Sequence, residues 1–470
     1  MTDSPESQKP RTSFLDTLAV YLKARVLIVL FLGFSAGLPL ALSGSTLLFW
    51  AAEVGVNLKT IGLFALVGTP YTLKFLWAPI VDALDVPILA RLLGRRRGWL
   101  IFSQLLLISA IMLLAFSGPN AGPIVSIPFG VAGFPLEIAV PLLTVVAATF
   151  VAAASATQDI VIDAFRIESL DENEQAAGMA SYVAAYRVGM LVSSAGALYV
   201  VSGFEALGFT KSGAWSAGYV AMAVLVVIGI LTTLIATEPD KSGQADAAHE
   251  RESPLQRLKR TITGAFTDFF QHDGVFIAIV ALIFVVLFKL TDALAGVMTG
   301  PFAVELGFTR TEYANIVKGV GLIALLAGGF AGGYIARALP LAASLWIGGI
   351  LQSVANLSFS WLALAGHDLL WLTVAITVEN FTSAIGTVMF VAYLSALCRN
   401  PLHTATQYAL LTALAAIGRT YLSAGAGYLA SETGWAWFFV ICALAGIPSL
   451  LLLAWLQARG HFSRLELKKP

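Results

Sequence analysis

The sequence is poor in charge and in cysteine. Only 12% of its 470 residues are charged, and Lys plus Arg equals Asp plus Glu at 28 each. A chain without net charge offers no electrostatic attraction for nucleic acid. Its two cysteines, Cys398 and Cys442, lie far apart in apolar segments, a spacing that indicates neither a metal site nor a disulfide framework. We expect both to be small buried apolar residues, and we expect no metal and no cofactor.

Residue patterns typical of catalysis are also absent. The five histidines, His249, His272, His367, His403 and His461, all fall in predicted loops or at the ends of apolar segments. The sequence contains no recognisable metal-ligand cluster, no nucleophile beside a base and no separate catalytic domain. Its first twenty residues lack the short apolar core and cleavage site of a signal peptide. We therefore predict that the chain is not an enzyme and has no removable signal peptide.

Long apolar runs, by contrast, are abundant, because 58% of the residues are hydrophobic. A membrane-spanning helix needs about 20 mainly apolar residues, and twelve segments meet this requirement. Their centres lie near residues 38, 69, 108, 148, 188, 225, 284, 323, 351, 382, 415 and 446. Residues 119–135 are apolar but interrupted by proline and glycine, so we expect this stretch to lie at the outer interface. The pattern predicts an all-α membrane protein with twelve transmembrane helices.

The distribution of basic residues predicts how these helices are oriented. If the N-terminus is cytoplasmic, the inner loops and tails contain most of the lysine and arginine, including the run at 95–97. The outer loops then contain only Lys59, Lys211 and Arg310. Basic residues concentrate on the cytoplasmic side of membrane proteins. We therefore expect a multi-pass protein of the inner membrane with both termini in the cytoplasm.

Internal repeats divide the chain into two halves. The sequence "EVGV" at 53–56 returns as "ELGF" at 305–308, and "SAGA" occurs at 194–197 and again at 423–426. The predicted organisation is a cytoplasmic tail (1–26), a six-helix bundle (27–237), a cytoplasmic linker (238–273), a second six-helix bundle (274–458) and a second tail (459–470). Two related bundles that face each other permit rocking around a central site.

Nine ionisable residues fall inside the predicted spans. The basic ones are Lys74, Arg187, Lys289, Lys318 and Arg419, and the acidic ones are Asp159, Asp163, Asp292 and Glu379. Each costs about 2.5–3.5 kcal/mol at the bilayer centre on insertion scales. We expect these side chains to face an aqueous cavity or one another. Lys318, near the start of its span, is the exception, because we expect it to extend to the membrane interface.

Helical spacing places some of these charges together. Asp159 and Arg187 are at similar depth on either side of the loop between spans four and five, and Asp163 lies one turn below Asp159. Lys289 and Asp292 are three residues apart, so they share a face of span seven. An alternative interpretation is purely structural: Arg187 with Asp159, or Arg419 with Glu379, would be a buried ion pair that fixes helix packing.

Two glycine-rich runs, "GFSAG" at 33–37 and "GGFAGG" at 328–333, superficially suggest phosphate-binding loops. They lack the strand context and the lysine and hydroxyl positions of such a loop. Small residues four apart allow membrane helices to approach closely. We predict a packing role for both runs.

Several stretches of the N-terminal half resemble the AmpG muropeptide permease family of the major facilitator superfamily. They are "FLGFSAGLPLALSGSTL" from residue 31, "TIGLFALVGTPYTLKFLWAPIVDAL" from residue 60, "GRRRGWL" from residue 94, "SATQDIVIDAFRIE" at 155–168 and "YRVGMLVSSAGALY" at 186–199. The resemblance implies a major facilitator fold and a proton-coupled symporter that imports N-acetylglucosaminyl-1,6-anhydromuramyl peptides for peptidoglycan recycling. It also implies a role in inducible beta-lactam resistance. Facilitators of this kind commonly act as monomers.

Candidate roles follow for the residues inside the spans. Since no histidine is available at mid-membrane depth, carboxylates must carry the proton, with Asp159 first and Asp163, Asp292 and Glu379 behind it. Muropeptides contain peptide carboxylates and an uncharged sugar pair. Lys74, Arg187, Lys289 and Arg419 are candidate partners of the carboxylates, and Gln158, Tyr71, Tyr186 and Asn380 are candidate partners of the sugars. For the tyrosines, plain helix packing is an equally good interpretation.

Other functions remain open on sequence alone. Related families carry acetyl-coenzyme A or deliver pigments in photosynthetic bacteria, and shared spans do not determine cargo. A membrane-embedded enzyme acting on a lipid-linked substrate is a further alternative. Sodium in place of protons as the coupling ion is also compatible with these residues.

Overall fold

The computed structural model describes residues 20–119, 124–127, 136–139, 142–171, 174–239, 275–397 and 404–466. Within these residues nearly all secondary structure is helical, and ten helices are long and apolar enough to cross a membrane. The remaining two predicted spans, at 58–83 and 404–433, consist of shorter helices joined end to end. The prediction of an all-α, multi-pass membrane protein is confirmed, and we number its segments as spans 1 to 12.

The N-terminal half contains spans 1 to 6. A short 3₁₀ turn, Val20–Leu22, precedes them. Span 1 consists of helices Ala24–Leu42 and Ser45–Glu53, and span 2 of helices Leu58–Leu63, Thr69–Leu73 and Ala78–Ala83 with 3₁₀ turns Phe64–Gly68 and Lys74–Leu76 between them. A short helix, Leu89–Leu93, precedes span 3 (Arg95–Ser117), and span 4 is Leu142–Ser169. Span 5 consists of Gln175–Leu191 and Ala197–Ala206, joined by a π-helical turn Val192–Gly196, and span 6 is Lys211–Ile235.

The C-terminal half contains spans 7 to 12. Span 7 consists of helices Val275–Phe288 and Leu290–Glu305, and span 8 of Arg310–Tyr313 and Gly321–Ala338, joined by a π-helical turn Ala314–Val320. Span 9 is Leu341–Ala365 and span 10 is Leu369–Leu397. Span 11 consists of Thr404–Leu422 and Ala426–Thr433, joined by a 3₁₀ turn Ser423–Gly425, span 12 consists of Trp435–Leu444 and Ile447–Ala458, and a final helix is His461–Glu466. Most of the predicted linker, residues 240–273, and Cys398 lie outside the described residues, whereas Cys442 is buried as expected.

The stretch at 119–135 differs from a plain interfacial coil. Strand β1 (Ile124–Ile127) pairs antiparallel with strand β2 (Leu136–Ala139), so that Ile124 lies opposite Ala139 and Ile127 opposite Leu136. Both strands are short and β-branched residues are frequent in β1, which suits a hairpin. Because spans alternate in direction, this hairpin lies at the end opposite the termini. We call the two ends of the molecule the hairpin end and the termini end.

Glycines hold span 1 against span 5. A Cβ on Gly37 would lie 2.1 Å from the carbonyl oxygen of Tyr186, and one on Gly189 would lie 2.3 Å from that of Phe34. In the C-terminal half a Cβ on Gly328 would lie 2.2 Å from the carbonyl oxygen of Phe381, whereas one on Gly329 would meet nothing within 4 Å. The predicted packing role of the two glycine runs is thus confirmed for the glycines on their inner faces.

Ion pairs at the termini end organise the N-terminal half. Arg96 donates to both oxygens of Glu168, at 2.6 and 2.9 Å, which joins span 3 to the end of span 4. Glu238 accepts from the backbone N–H groups of Arg96 and Arg97 and thereby caps span 3. Lys23 pairs with Glu174 at 2.7 Å. These contacts connect elements of one half only.

At the hairpin end, ion pairs connect the two halves. Arg310, which begins span 8, pairs with Glu53 at the end of span 1 at 2.8 Å and also with Glu205 at the end of span 5. Lys59 pairs with Glu432 of span 11 at 2.7 Å. The helices also approach closely here, since a Cβ on Gly427 would lie 1.8 Å from the carbonyl oxygen of Leu58. The halves are therefore closed against each other at this end.

Candidate functional site

In the N-terminal half, Lys74 and Asp163 lie close to Asp159. The Lys74 ammonium lies 3.6 Å from the Asp159 carboxylate, which connects span 2 to span 4. Span 2 presents Lys74 from a 3₁₀ turn, because prolines 70 and 79 interrupt regular helix on either side. The Asp159 side chain is mostly buried, whereas that of Lys74 is about one-third exposed. One oxygen of Asp159 has no hydrogen-bond partner among the described residues.

A polar stripe continues from Asp159 toward the termini end, as its helical spacing predicts. Asp163 pairs with Arg166 at 3.5 Å one turn further along span 4. The Asp163 side chain is half exposed and the Arg166 side chain is mostly buried. The predicted common face of these residues is confirmed, while their role in proton transfer stays a prediction.

Arg187 does not pair with Asp159, so that predicted contact is wrong. Tyr182, Tyr186 and Gly189 form the stripe of span 5 that packs against span 1. Arg187 follows Tyr186 by one position, which turns it about 100° away from this stripe, and its side chain is exposed. Sequence spacing gives the depth of Arg187 in the membrane but not its direction around the helix axis.

The candidate sugar-binding residues of this half are placed unevenly. Gln158 is fully buried and donates to the Ser35 hydroxyl at 3.3 Å, inside the contact between spans 1 and 4. The Tyr71 hydroxyl is buried beside Ser43 and Ser155 and makes no well-formed hydrogen bond to a described residue. Tyr186 is half-buried, with its ring centre 6.0 Å from that of Tyr182. Packing therefore accounts for Gln158 better than cargo contact does.

In the C-terminal half, Lys289 and Asp292 form a direct ion pair of 2.7 Å, as their spacing predicts. Lys289 occupies the break between the two helices of span 7, where Leu290 begins a new helix. The ammonium also donates to the side-chain oxygen of Gln352 and to the carbonyl oxygen of Ser383, both at 3.4 Å. The Ser383 hydroxyl donates to Asp292 at 2.7 Å.

This cluster borders a cavity of about 400 Å³. Its walls are Lys289, Asp292, Ala293, Glu379, Ser383, Thr387, Phe390, Val391, Leu394, Thr412, Ala415, Ala416 and Arg419. Span 10 runs from the hairpin end to the termini end, and its wall residues extend from Glu379 down to Leu394. The cavity therefore reaches from mid-membrane depth toward the termini end, away from the ion pairs that join the halves.

Glu379 and Arg419 both border the cavity but do not form the ion pair that the structural interpretation predicted, and no such pair occurs among the described residues. Asn380 donates to the Glu379 carboxylate at 2.8 Å. Arg419 is exposed, and its backbone carbonyl accepts a hydrogen bond from the Ser423 hydroxyl. Glu379 on span 10 and Arg419 on span 11 both line the cavity, which lies between the two side chains.

Lys318 does not extend to the membrane interface, which corrects the expectation for this residue. It lies in the π-helical turn Ala314–Val320, where the wider turn rotates the side chain relative to a regular α-helix. Its ammonium lies 5.9 Å from the ring centre of Tyr313, and the opposite charge of Glu379 acts on it. The residue therefore points into the bundle.

Sequence analysis does not identify two residues of the C-terminal cluster. Gln352 and Ser383 are uncharged, so neither interrupts the hydropathy pattern by which the other candidates stand out. A glutamine near the middle of an apolar span is nonetheless a detectable signal, because an amide in hydrocarbon needs hydrogen-bond partners. Gln352 lies twelve residues into the 25-residue span 9.

Comparisons with known proteins agree on a transporter family. A family model described as "Acetyl-coenzyme A transporter 1" matches residues 24–251. The chain is 36% identical to the "Anhydromuropeptide permease" of Escherichia coli over 451 residues, which is 96% of this chain and 83% of that protein. It is 34% identical to "Putative transporter AmpG 4" of Rickettsia felis, over 93% of this chain and 97% of that protein.

Solved structures support the fold independently. A D-xylose–proton symporter matches with a TM-score of 0.63 over 92% of this chain and 97% of that one, at 12% identity. A peptide transporter of the POT family, crystallised with sulfate, matches with a TM-score of 0.62 over 97% of both chains, at 11% identity. At such low identity these matches establish the major facilitator fold and nothing about cargo.

Proposed function

Because the chain belongs to the AmpG anhydromuropeptide permease family, we propose that it imports N-acetylglucosaminyl-1,6-anhydromuramyl peptides across the bacterial inner membrane for peptidoglycan recycling. The observation that supports this most is the cavity between Lys289 and Arg419. Two cations at mid-membrane depth bind peptide carboxylates through charge-assisted hydrogen bonds. The neutral hydroxyl groups of Ser383 and Thr387 on the same wall suit the sugar pair.

The geometry favours Asp292 over Asp159 as the residue that couples a proton to the cargo. Asp292 occupies one of the three hydrogen-bonding directions of the Lys289 ammonium, at 2.7 Å. A proton on Asp292 releases this direction, and a cargo carboxylate then takes the place of the aspartate. Proton and cargo therefore favour each other's binding, which is the thermodynamic requirement of symport.

Asp159 is the second proton carrier in this proposal. It pairs with Lys74 at the longer distance of 3.6 Å. This pair connects two spans, whereas Lys289 and Asp292 lie on the same span. Protonation of Asp159 removes this connection and allows span 2 to move relative to span 4. Its proposed effect is on the conformational step, whereas that of Asp292 is on cargo binding.

The conformation described here corresponds to the inward-facing state of alternating access. Ion pairs close the halves at the hairpin end, and the cavity extends toward the termini end. With the termini in the cytoplasm, as the basic loops predict, cargo leaves this state into the cytoplasm. The reverse transition requires that the contacts of Arg310 and Lys59 break. A single chain supplies every residue of the cavity wall, so we expect a monomer to be sufficient.

A second cargo class deserves a direct test, because the matching family model describes an acetyl-coenzyme A transporter. Lys289 and Arg419 suit phosphates as well as carboxylates.

Uptake into proteoliposomes tests the proposal. We expect accumulation of radiolabelled anhydromuropeptide when the pH gradient is imposed, no accumulation of free peptide or free sugar, and recovery of chemically unchanged cargo. Lys289→Gln should reduce this uptake, and Arg337→Gln, a change near the end of span 8 outside the cavity wall, is the matched control. Accumulation of acetyl-coenzyme A without anhydromuropeptide would favour the second cargo. Chemical alteration of the cargo would identify an enzyme, and a sodium gradient that replaces the pH gradient would reject proton coupling.

A further inference from the structure

Gln352 has an environment that ordinary helix packing does not explain. The residue is 2% exposed and lies on span 9, between spans 7 and 10. Its side-chain oxygen accepts from the Lys289 ammonium. Its side-chain nitrogen is buried without a hydrogen-bond partner among the described residues. Buried amides normally have their polar atoms satisfied, whereas the described hydrogen bond of this side chain goes to the charged Lys289 alone.

Span 10 leaves room for this amide at one position. A Cβ on Gly386 would lie 1.1 Å from the Gln352 side-chain nitrogen. Any other amino acid at 386 would therefore displace the amide. The Gln352 amide thus occupies the space that a side chain on span 10 would otherwise fill, one turn from Ser383, whose carbonyl oxygen is another acceptor of Lys289. Acceptors on two different spans, Gln352 on span 9 and Ser383 on span 10, therefore hold the ammonium in one position.

The N-terminal half offers a comparison at the corresponding place. Gln104 lies in the middle of span 3, the third span of its half, and is also fully buried. Its side chain exchanges hydrogen bonds with the Thr233 hydroxyl of span 6, at 3.2 and 3.3 Å. This glutamine joins two spans and contacts no charged side chain in the hydrogen bonds described. A structural glutamine in this fold therefore has a neutral partner on another span, and Gln352 does not.

We infer that Gln352 is a positioning residue, which together with Gly386 holds the Lys289 ammonium at the cavity wall when Asp292 is not available as its partner. The inference rests on the proposed function, since it assumes that Lys289 binds a cargo carboxylate. An ammonium has three donors. With Asp292 protonated, the neutral acceptors on Gln352 and Ser383 occupy two of them and leave the third directed toward the cavity. Because both acceptors are uncharged, they fix the ammonium without neutralising it.

The chemistry at position 352 therefore matters in a specific way. Leucine keeps the volume and removes the acceptor, so Lys289 loses one of the two contacts that hold it while cargo binds. Glutamate keeps the acceptor but adds a negative charge, which competes with the cargo carboxylate for Lys289. Gly386→Ala leaves the chemistry of Gln352 intact and moves its amide away. All three changes should weaken the binding of carboxylates in particular.

The experiment compares two cargoes in proteoliposomes: the anhydromuropeptide with free peptide carboxylates, and the same molecule with these groups converted to carboxamides. For Gln352→Leu we expect the KM of the free acid to rise about tenfold, while that of the carboxamide changes by less than about twofold. Gln352→Glu should raise the KM of the free acid further. Gly386→Ala should act in the same direction as leucine and should have no additional effect in a Gln352→Ala background. Gln352→Met, which has a similar length, replaces leucine if that variant does not fold.

Gln104→Leu is the matched control. It should lower protein yield or thermal stability but preserve the ratio of the two KM values. The inference is overturned if the wild type prefers the free acid, Lys289→Gln abolishes this preference, and Gln352→Leu and Gly386→Ala both retain it. If the wild type itself does not distinguish the two cargoes, or Lys289→Gln leaves the preference intact, the carboxylate role of Lys289 in the proposed function fails and the inference fails with it.

Discussion

The two halves contain similar lysine–aspartate pairs in different arrangements. Each has one lysine paired with one aspartate within the spans, but Lys74–Asp159 bridges two spans at 3.6 Å, whereas Lys289–Asp292 lies within one span at 2.7 Å. The second pair borders a polar cavity of about 400 Å³. The comparison suggests that a bridging pair regulates how helices move, while a pair on one helix beside a cavity exchanges partners with cargo.

The largest expected effect separates the two aspartates. Asp292→Asn should abolish accumulation driven by the pH gradient, with a decrease of about 100-fold or more in kcat/KM, because the asparagine cannot carry the proton. Exchange of cargo across the membrane without a gradient should persist. Asp159→Asn should reduce driven uptake by less than about tenfold. The reverse order of effects would transfer the coupling role to Asp159, and proteoliposome uptake with and without a gradient is the measurement.

The next effect concerns helix packing in the two halves. Gly37→Ala and Gly328→Ala each place a Cβ about 2 Å from a backbone carbonyl oxygen of the neighbouring span, so the helices must separate. We expect a loss of about 2–3 kcal/mol of stability in each case. Gly203→Ala and Gly329→Ala are controls from the same halves, since a Cβ at either position meets nothing within 4 Å. Thermal unfolding in detergent measures the difference, and equal losses in all four variants would contradict a packing role.

A smaller effect is expected at the contact between the halves. Arg310→Gln leaves two glutamates without their partner, so the closed hairpin end should become less stable by about 1–3 kcal/mol. Lys59→Gln removes an exposed pair and should cost less than about 1 kcal/mol. Distances between spin labels on Leu207 and Trp437, both exposed near this end, should lengthen for Arg310→Gln. An unchanged distance distribution in that variant would show that other contacts keep the halves together.

The smallest effect is a pH dependence at the termini end. The hydrogen bond from Lys23 holds the pKa of the Glu174 carboxyl below its ordinary value. A lowered pKa contributes stability above the ordinary carboxyl pKa of about 4.3 and loses it as pH falls through the folded-state pKa. Thermal midpoints of the wild type should therefore fall more than those of Lys23→Gln between pH 6 and pH 3.5. Parallel curves for the two proteins would exclude a contribution from this pair.

The sequence predicts the fold better than it predicts the site. Apolar length determines where helices cross the membrane, and the loop charges predict their direction, so the spans follow from local composition. Among the described residues, spans 2 and 11 are the two that do not form a continuous apolar helix long enough to cross a membrane. In span 2 the prolines at 70 and 79 break the helix and place Lys74 on a 3₁₀ turn, a detail that hydropathy averages away.

The site was predictable where it depends on one helix. Lys289 and Asp292 share a face because of their spacing, and the structure agrees. Contacts between helices depend on rotation about each axis, which spacing along one helix does not specify. For this reason spacing alone points to Arg187 as a partner of Asp159, whose partner is Lys74, and to the interface for Lys318, which points inward. Gln352 was missed because a neutral side chain leaves hydropathy almost unchanged.

The Lys289–Asp292 pair also bears on how tightly transport is coupled. In an empty carrier, a proton on Asp292 would leave the lysine charge inside the membrane without a counter-ion, a state of high free energy. Empty carriers should therefore seldom change conformation with a proton bound. A cell that stores energy as a proton gradient would then lose little of that gradient through copies of this protein that carry no cargo.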